Sequence, residues 1–254
     1  MFKIFRNVGL ILLILSSFIY TEKLTSVVKE YDDIMIKIKE SSNNYKINPI
    51  ESVIKDNTII PGINGRIVDI DKSYKKMREY GKYNESLYVY KKLQTKNKLK
   101  DNKDKFIIKS LKPNKVSIIL KTTDLNDIDL NQKINLYLTN SYIKDNPEKI
   151  MKVSKNHIIL TNDNRYLKSI IDKNNYYCYT ENFDETILKN CYKNDDYTIN
   201  PNIILKTNSI LKLEQNIESG SIISCNKNNY LTVIKYLQNK GYEIVDIEEL
   251  LNEN

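Results

Sequence analysis

KVSIILKTTDLNDIDLNQKINLYLTNSYIKDNPEKIMKVSKNHIILTND, Lys115 to Asp163, is the stretch that decides the fold. It holds apolar runs at 116–120, 134–138 and 158–160, a polar loop after the first run, and a helix opened by Asn146 and Pro147. Short apolar runs that alternate with an amphipathic helix predict parallel strands joined by crossovers. In such a sheet, chemistry belongs where the strands end.

The alternation continues toward the C-terminus. Asp163 is positioned to cap a helix carrying Leu167, Ile170 and Ile171, and Asp184 one carrying Ile187, Leu188 and Cys191. Strands are predicted at 176–179, 203–205, 221–224 and 242–245, and helices from Ser209 and from Leu231 to Asn239. Asp246 with Glu249 three residues on has the spacing of a capping box. The rhythm is that of an α/β domain with a mostly parallel sheet or barrel over 115–254.

Toward the N-terminus, 96–114 is Lys-rich and reads as a linker with one strand around Phe106. Residues 45–95 read as a small module with strands near Val53 and Thr58. In its IPGING segment, Pro61-Gly62 predicts a type II turn and Asn64-Gly65 a type I′ hairpin turn. No Lys or Ser/Thr follows the last glycine as a phosphate-cradling loop requires, so the turn reading stands. Asp71 is placed to cap a helix over 72–80 that Gly81 stops. Residues 23–44 are polar, a stalk or helix. Lys3 and Arg6 precede an apolar run from Val8 to Ile19, so 1–22 is expected to be an uncleaved signal anchor that enters the membrane through residues 7–20. Positive charge on its N-terminal side keeps that end cytoplasmic and places the main domain outside the cell.

The 254 residues are 41% hydrophobic and 28% charged, enough apolar material for a real core. The formal charge is +8. Its cations are almost all lysines, the arginines being Arg6, Arg66, Arg78 and Arg165. Phosphate and base-edge recognition favours the guanidinium fork, so nucleic acid is set aside as a partner. Cys178, Cys191 and Cys225 are odd in number and lack a CxxC spacing, which argues against a zinc ribbon or a disulfide framework. Cys191 is expected to be a small core residue. A Cys178–Cys191 disulfide carries less weight, because sequence does not show that the two α-carbons come close.

INLYLTNSYIKDNPEKIMKVSKNHIIL (134–160) resembles the polysaccharide deacetylases, NodB-homology esterases of carbohydrate esterase family 4, in which a TFFVTG-type strand is followed by an NPELVKRIV-type helix and GHEIGNHT. IESGSIISCN (217–226) is similar to the family's PGSIILLHD strand, and YLTVIKYLQNKGYEIVDIEELL (230–251) to its closing helix, strand and helix. DETILKNCYKNDDYTI (184–199) resembles the helix after its RPPYG loop, and the GING module resembles the segment before such domains in some membrane-anchored members. The resemblance implies a distorted (β/α) barrel holding one divalent metal with an Asp and two His. A second Asp would be the base and a His near the C-terminus the acid, for hydrolysis of a glycan N- or O-acetyl group.

At the family's positions the side chains are different. TFDDG falls on 119–123, with Lys121 and Thr122 where carboxylates belong; H-x-x-x-H falls on Asn162 and Tyr166; RPPYG falls on 178–182, beginning with Cys178; and the terminal His falls on Asn226. His157, the single histidine, matches the non-ligating His of GHEI. A two-His metal site with a His acid cannot be assembled from one histidine. The expectation is therefore a membrane-anchored, extracytoplasmic pseudoenzyme without a cofactor, whose groove (Tyr166, Tyr177, Tyr179, Asn162, Asn226) binds peptidoglycan or another envelope glycan, or serves as a scaffold. One alternative is an active deacetylase with relocated ligands, for which Asp124, Asp127, Asp129 and Asp163 could offer an all-oxygen site suited to Ca²⁺ or Mg²⁺. Another is a Lys-rich adaptor to an anionic polymer or a protein partner.

Overall fold

The computed structural model describes residues 11, 13–21, 29–206 and 210–254. The chain divides into two compact units, one made of Met1–Asn48 with Gly65–Leu93, the other of Pro49–Asn64 with Gln94–Asn254. Most of the expected anchor (1–10, 12 and 22) lies outside the described residues, as does Ser209. Residues 13–21 are helical and expose Leu13, Leu15, Phe18 and Ile19. Among the described residues no helix is long and apolar enough to cross a membrane.

In the smaller unit, helix α1 (Asp33–Ser41) starts at Asp32, whose carboxylate accepts from the Ile34 N–H. It packs Met35 and Ile38 against Tyr74 and Met77 of α2 (Ile70–Tyr80). The segment expected to be a stalk or helix is thus helical over Asp33–Ser41 and contributes half of a helix pair. Asp69, not Asp71, caps α2, accepting from Lys72 N–H; Val-Asp-Ile-Asp offers two caps, and the earlier one lengthens the helix by two residues.

In the larger unit, the strands in chain order are β1 (Val53–Lys55) and β2 (Thr58–Ile60); β3 (Gly65–Val68) and β4 (Tyr90–Leu93) form an antiparallel pair within the smaller unit. Then come β5 (Phe106–Ile107), β6 (Lys115–Lys121), β7 (Asn135–Tyr137), β8 (Ile159–Thr161), β9 (Tyr177–Tyr179), β10 (Tyr197–Ile199), β11 (Ile203–Ile204), β12 (Ile222–Asn226) and β13 (Glu243–Ile244). The sheet order is β1-β2-β5-β10-β9-β8-β7-β6-β12-β11, with β13 added on β6. All these pairings are parallel except β1 with β2. The crossovers carry α3 (Asn140–Asp145), α4 (Pro147–Val153), α5 (Arg165–Ile170), α6 (Glu185–Lys193), α7 (Ile210–Asn216) and α8 (Tyr230–Asn239), and α9 (Ile247–Leu251) closes the chain.

The unit boundaries differ from those expected at 44, 95 and 114. Thr58 and Ile59 pair in parallel with Phe106 and Ile107, so both segments are strands of the main sheet rather than module and linker. The hairpin turn of β1–β2 is Asp56-Asn57, with Asp56 at φ 50°, not Asn64-Gly65. IPGING runs instead as an extended crossover in which Ile63 bridges Ile50. A Cβ on Gly62 would lie 2.4 Å from the Ile50 carbonyl oxygen, so glycine serves close backbone approach there.

Side-chain parity shows that the sheet curls. On β6, Val116, Ile118 and Leu120 face the helices, packing with Ile143, Ile150, Leu167, Val233 and Leu237. Ile119 faces the other way, into a core with Leu160, Tyr177, Tyr179, Ile199 and Ile222. Tyr179 Oη and Ser224 Oγ are 2.6 Å apart, although three strands separate β9 from β12. In a flat sheet that separation would be about 19 Å, so the two side chains meet across the inside of a half-barrel. Residues 108–110 draw the edges together: Ser110 N–H donates to the Gly220 carbonyl at 2.8 Å, Asn202 N–H to Ile108 at 3.2 Å, and Lys109 bridges Ser221. Val245, Ile247, Leu250 and Leu251 plug the other end, held by the Ile247 N–H to the buried Asn135 side chain.

Candidate functional site

Parallel strands all present their C-terminal ends on one side, and parity carries every second side chain into the barrel mouth. β6 delivers Lys121 there, β7 Tyr137, β9 Tyr179 with Glu181 just beyond, and β12 Ser224 and Asn226. These residues form one polar chain. Ser224 Oγ meets Tyr179 Oη, Tyr179 donates to Glu181 Oε1 at 2.5 Å, and Lys121 Nζ approaches the same oxygen at 2.9 Å. The Tyr137 and Tyr179 rings lie 4.5 Å apart, Lys121 stands 5.9 Å from the Tyr137 centroid, and the Asn162 side chain lies beside the Tyr137 hydroxyl. Beside the chain is a cavity of about 320 Å³, lined among others by Lys121, Glu181, Lys206, Ser224 and Asn226.

The electrostatics follow from this geometry. Burial works against the Glu181 carboxylate, but donation from Tyr179 and Lys121 outweighs it and holds the pKa below the ordinary value. Burial, reinforced by the Glu181 contact, pushes Tyr179 upward, and burial does the same for Tyr137. Both stay neutral phenols. Cys225 behind the cavity is pushed up to about 12 by burial, which makes it an inert thiol.

A group whose folded pKa is depressed contributes stability above its unfolded pKa and loses it as pH falls through the folded value. The Lys121–Glu181 contact should therefore stabilise the fold above the ordinary carboxylate value of 4.5 and fade below it. Lys121 is 48% exposed, so solvent screening limits the effect to about 0.5–1 kcal/mol. Melting curves of wild type and Glu181→Gln should differ at pH 7 and converge below pH 4.5; parallel curves would mean the contact carries no such term.

The mouth contains Tyr179, Asn162 and Asn226 from the expected groove. Tyr177 lies at the opposite end of the barrel, stacked on Tyr197 at 5.6 Å beside a separate cavity of about 300 Å³. Tyr166 packs against the outer core, its ring 6.0 Å from Lys144 Nζ. Thr122 turns aside, donating to the Asp124 carbonyl at 2.6 Å. Cys178 faces α6, where it forms a disulfide with Cys191, their α-carbons 6.4 Å apart, so Cys191, expected to be a small core residue, is buried but bridged. Glu181, Tyr137, Ser224 and Lys206 were not singled out from the sequence. Strand parity counted from Lys121, Tyr179 and Asn226 was the signal that could have found Tyr137 and Ser224.

The residues at the mouth do not fit a divalent metal. The Lys121 ammonium occupies the end of β6 and would repel a dication, and the neighbouring carboxylate is already matched to it. No imidazole is present, since His157 is buried in the outer layer with Nδ1 3.0 Å from the Ile134 carbonyl and Nε2 3.1 Å from that of Leu130. The four aspartates of the oxygen-ligand alternative do not converge. Asp124 and Asp127 flank Lys227, Asp129 accepts from Asn131 and Gln132, and Asp163 pairs with Arg165. Among the described residues no group of three or more His, Cys, Asp or Glu could hold a metal.

No protein-family model and no curated protein matches the sequence. Solved structures do match. A wild-type CE4 family pseudoenzyme from Bacillus anthracis superposes with a TM-score of 0.61 at 19% identity over 87% of this chain and 96% of its own. A mutant of that pseudoenzyme with restored enzymatic activity superposes with a TM-score of 0.62 at 18% identity, over 87% and 99%. The curled parallel sheet and its two-sided core therefore identify this chain as having the fold of carbohydrate esterase family 4, as the motifs at 134–160 and 217–251 imply.

Proposed function

We propose that this protein is a divergent, non-catalytic member of carbohydrate esterase family 4 that keeps the barrel as a cell-envelope glycan-binding or scaffolding domain, anchored in the membrane by residues 1–22. The observation that carries this reading is the Lys121–Glu181 pair, 2.9 Å long, at the strand end where a hydrolase of this fold needs a metal-binding carboxylate. The mouth has kept its concavity and exchanged dication chemistry for hydrogen bonds and charge. A pseudoenzyme of the same fold gives a precedent for retaining the barrel without the activity.

Two features support an extracytoplasmic location. The Cys178–Cys191 disulfide is of a kind that persists in oxidising compartments. The basic-then-apolar N-terminus has the order of a signal anchor. In fractionated cells the protein is expected with the membranes, and purified full-length protein is expected to be retained by insoluble peptidoglycan, chitin or teichoic-acid-bearing walls. Passage through all three matrices would remove the glycan reading.

A further inference from the structure

The mouth cavity has an unbalanced charge. Glu181 is matched by Lys121 at 2.9 Å. A second cation, Lys206, lines the same cavity and acts on Glu181 through space, yet among the described residues it forms no ion pair. Its backbone is fixed because its carbonyl accepts from Asn226 Nδ2 at 3.3 Å. Asn226 Oδ1 takes the Asn228 N–H, which orients the amide, and among the described residues its other N–H has no acceptor. Lys227, one residue beyond Asn226, is by contrast paired with Asp124 at 3.7 Å and Asp127 at 3.5 Å. About 320 Å³ is at the small end of ligand cavities and admits one sugar unit.

We infer that this cavity takes the acidic group, carboxylate or phosphate, of a charged saccharide, held between Lys121 and Lys206 with the Asn226 amide as third donor; the inference rests on the glycan-binding reading above. A neutral sugar would satisfy the hydrogen bonds but leave the second ammonium unmatched, and a metal ion would meet two ammoniums. Glu181 has a definite part in this scheme: it holds Lys121 in place and competes with the incoming anion.

The test is calorimetric titration of the detergent-solubilised full-length protein with three oligosaccharides of equal length. These are an N-acetylglucosamine tetramer, a tetramer alternating N-acetylglucosamine with glucuronic acid, and an N-acetylglucosamine tetramer bearing one 6-phosphate. At least one acidic tetramer should bind about 10-fold or more tightly than the neutral one, the scale of one hydrogen bond to a charged group. That margin should disappear in Lys206→Gln, shrink at high salt, and grow in Glu181→Gln. Whichever tetramer shows the margin identifies the acidic group. Lys206 is exposed, so the variant's circular dichroism should match wild type. Equal affinity for all three, or a margin untouched by Lys206→Gln, overturns the acidic-group inference and leaves glycan binding standing. Failure of all three to bind overturns both.

Discussion

Gly220→Ala is expected to destabilise the protein by at least ~3 kcal/mol, or to prevent folding. Gly220 has φ +83°, and a Cβ there would sit 1.9 Å from the Ser110 carbonyl oxygen and 2.5 Å from its carbon. Those are backbone atoms, so no rotamer change relieves the overlap. The same two residues make the Ser110 N–H to Gly220 carbonyl bond that draws the edges of the half-barrel together. Gly241→Ala is the control: its φ is +81°, but nothing lies within 4 Å of the added methyl, so it should cost only the left-handed penalty of about 1–2 kcal/mol. Thermal melting of both variants separates collision from strain. Equal losses would show that the edges are not closed as tightly as described.

The second large effect concerns the disulfide. Cys178 ends up in β9 and Cys191 in α6, thirteen residues apart, both without solvent exposure. The enclosed segment carries Tyr179 and Glu181, so the bridge that stabilises the fold also fixes one wall of the mouth. Closing a loop of this size stabilises by about 3 kcal/mol on the chain-entropy account. The Cys178→Ala/Cys191→Ala variant should therefore melt about 6–12 °C lower. A thiol count of three per chain in denatured, unreduced protein, or an unchanged melting temperature, would contradict the assignment.

The order of strands and helices after Lys115 could be read directly from the sequence, because buried parallel strands are short apolar runs and several helices follow a capping side chain, although the helix expected to be capped by Asp163 starts after Asn164 with no side-chain cap. Asp184 accepts from Thr186 and Ile187, and Asp246 from Glu249, as their positions imply. What sequence did not carry is non-local. The Thr58–Phe106 pairing joins segments that a linear scan assigns to different domains, and the Cys178–Cys191 approach depends on how α6 lies on β9. The site was legible by subtraction: one histidine rules out a three-imidazole centre whatever the fold. Its positive content was not, because Glu181 reaches Lys121 only through the curl of the sheet, and Tyr177 and Tyr179, two residues apart on one face, serve opposite ends of the barrel.

The function proposed above requires that the strand end of this carbohydrate esterase family 4 fold, occupied by the Lys121–Glu181 pair, binds no metal. The most direct measurement is zinc titration of the chelator-treated full-length protein, with bound metal counted per chain and acetate release from acetylated chitin oligomers followed in parallel. The account predicts no saturable zinc and no acetate above the protein-free rate. One tightly bound zinc per chain, displaced by mutation at the barrel mouth and accompanied by acetate release, would contradict it.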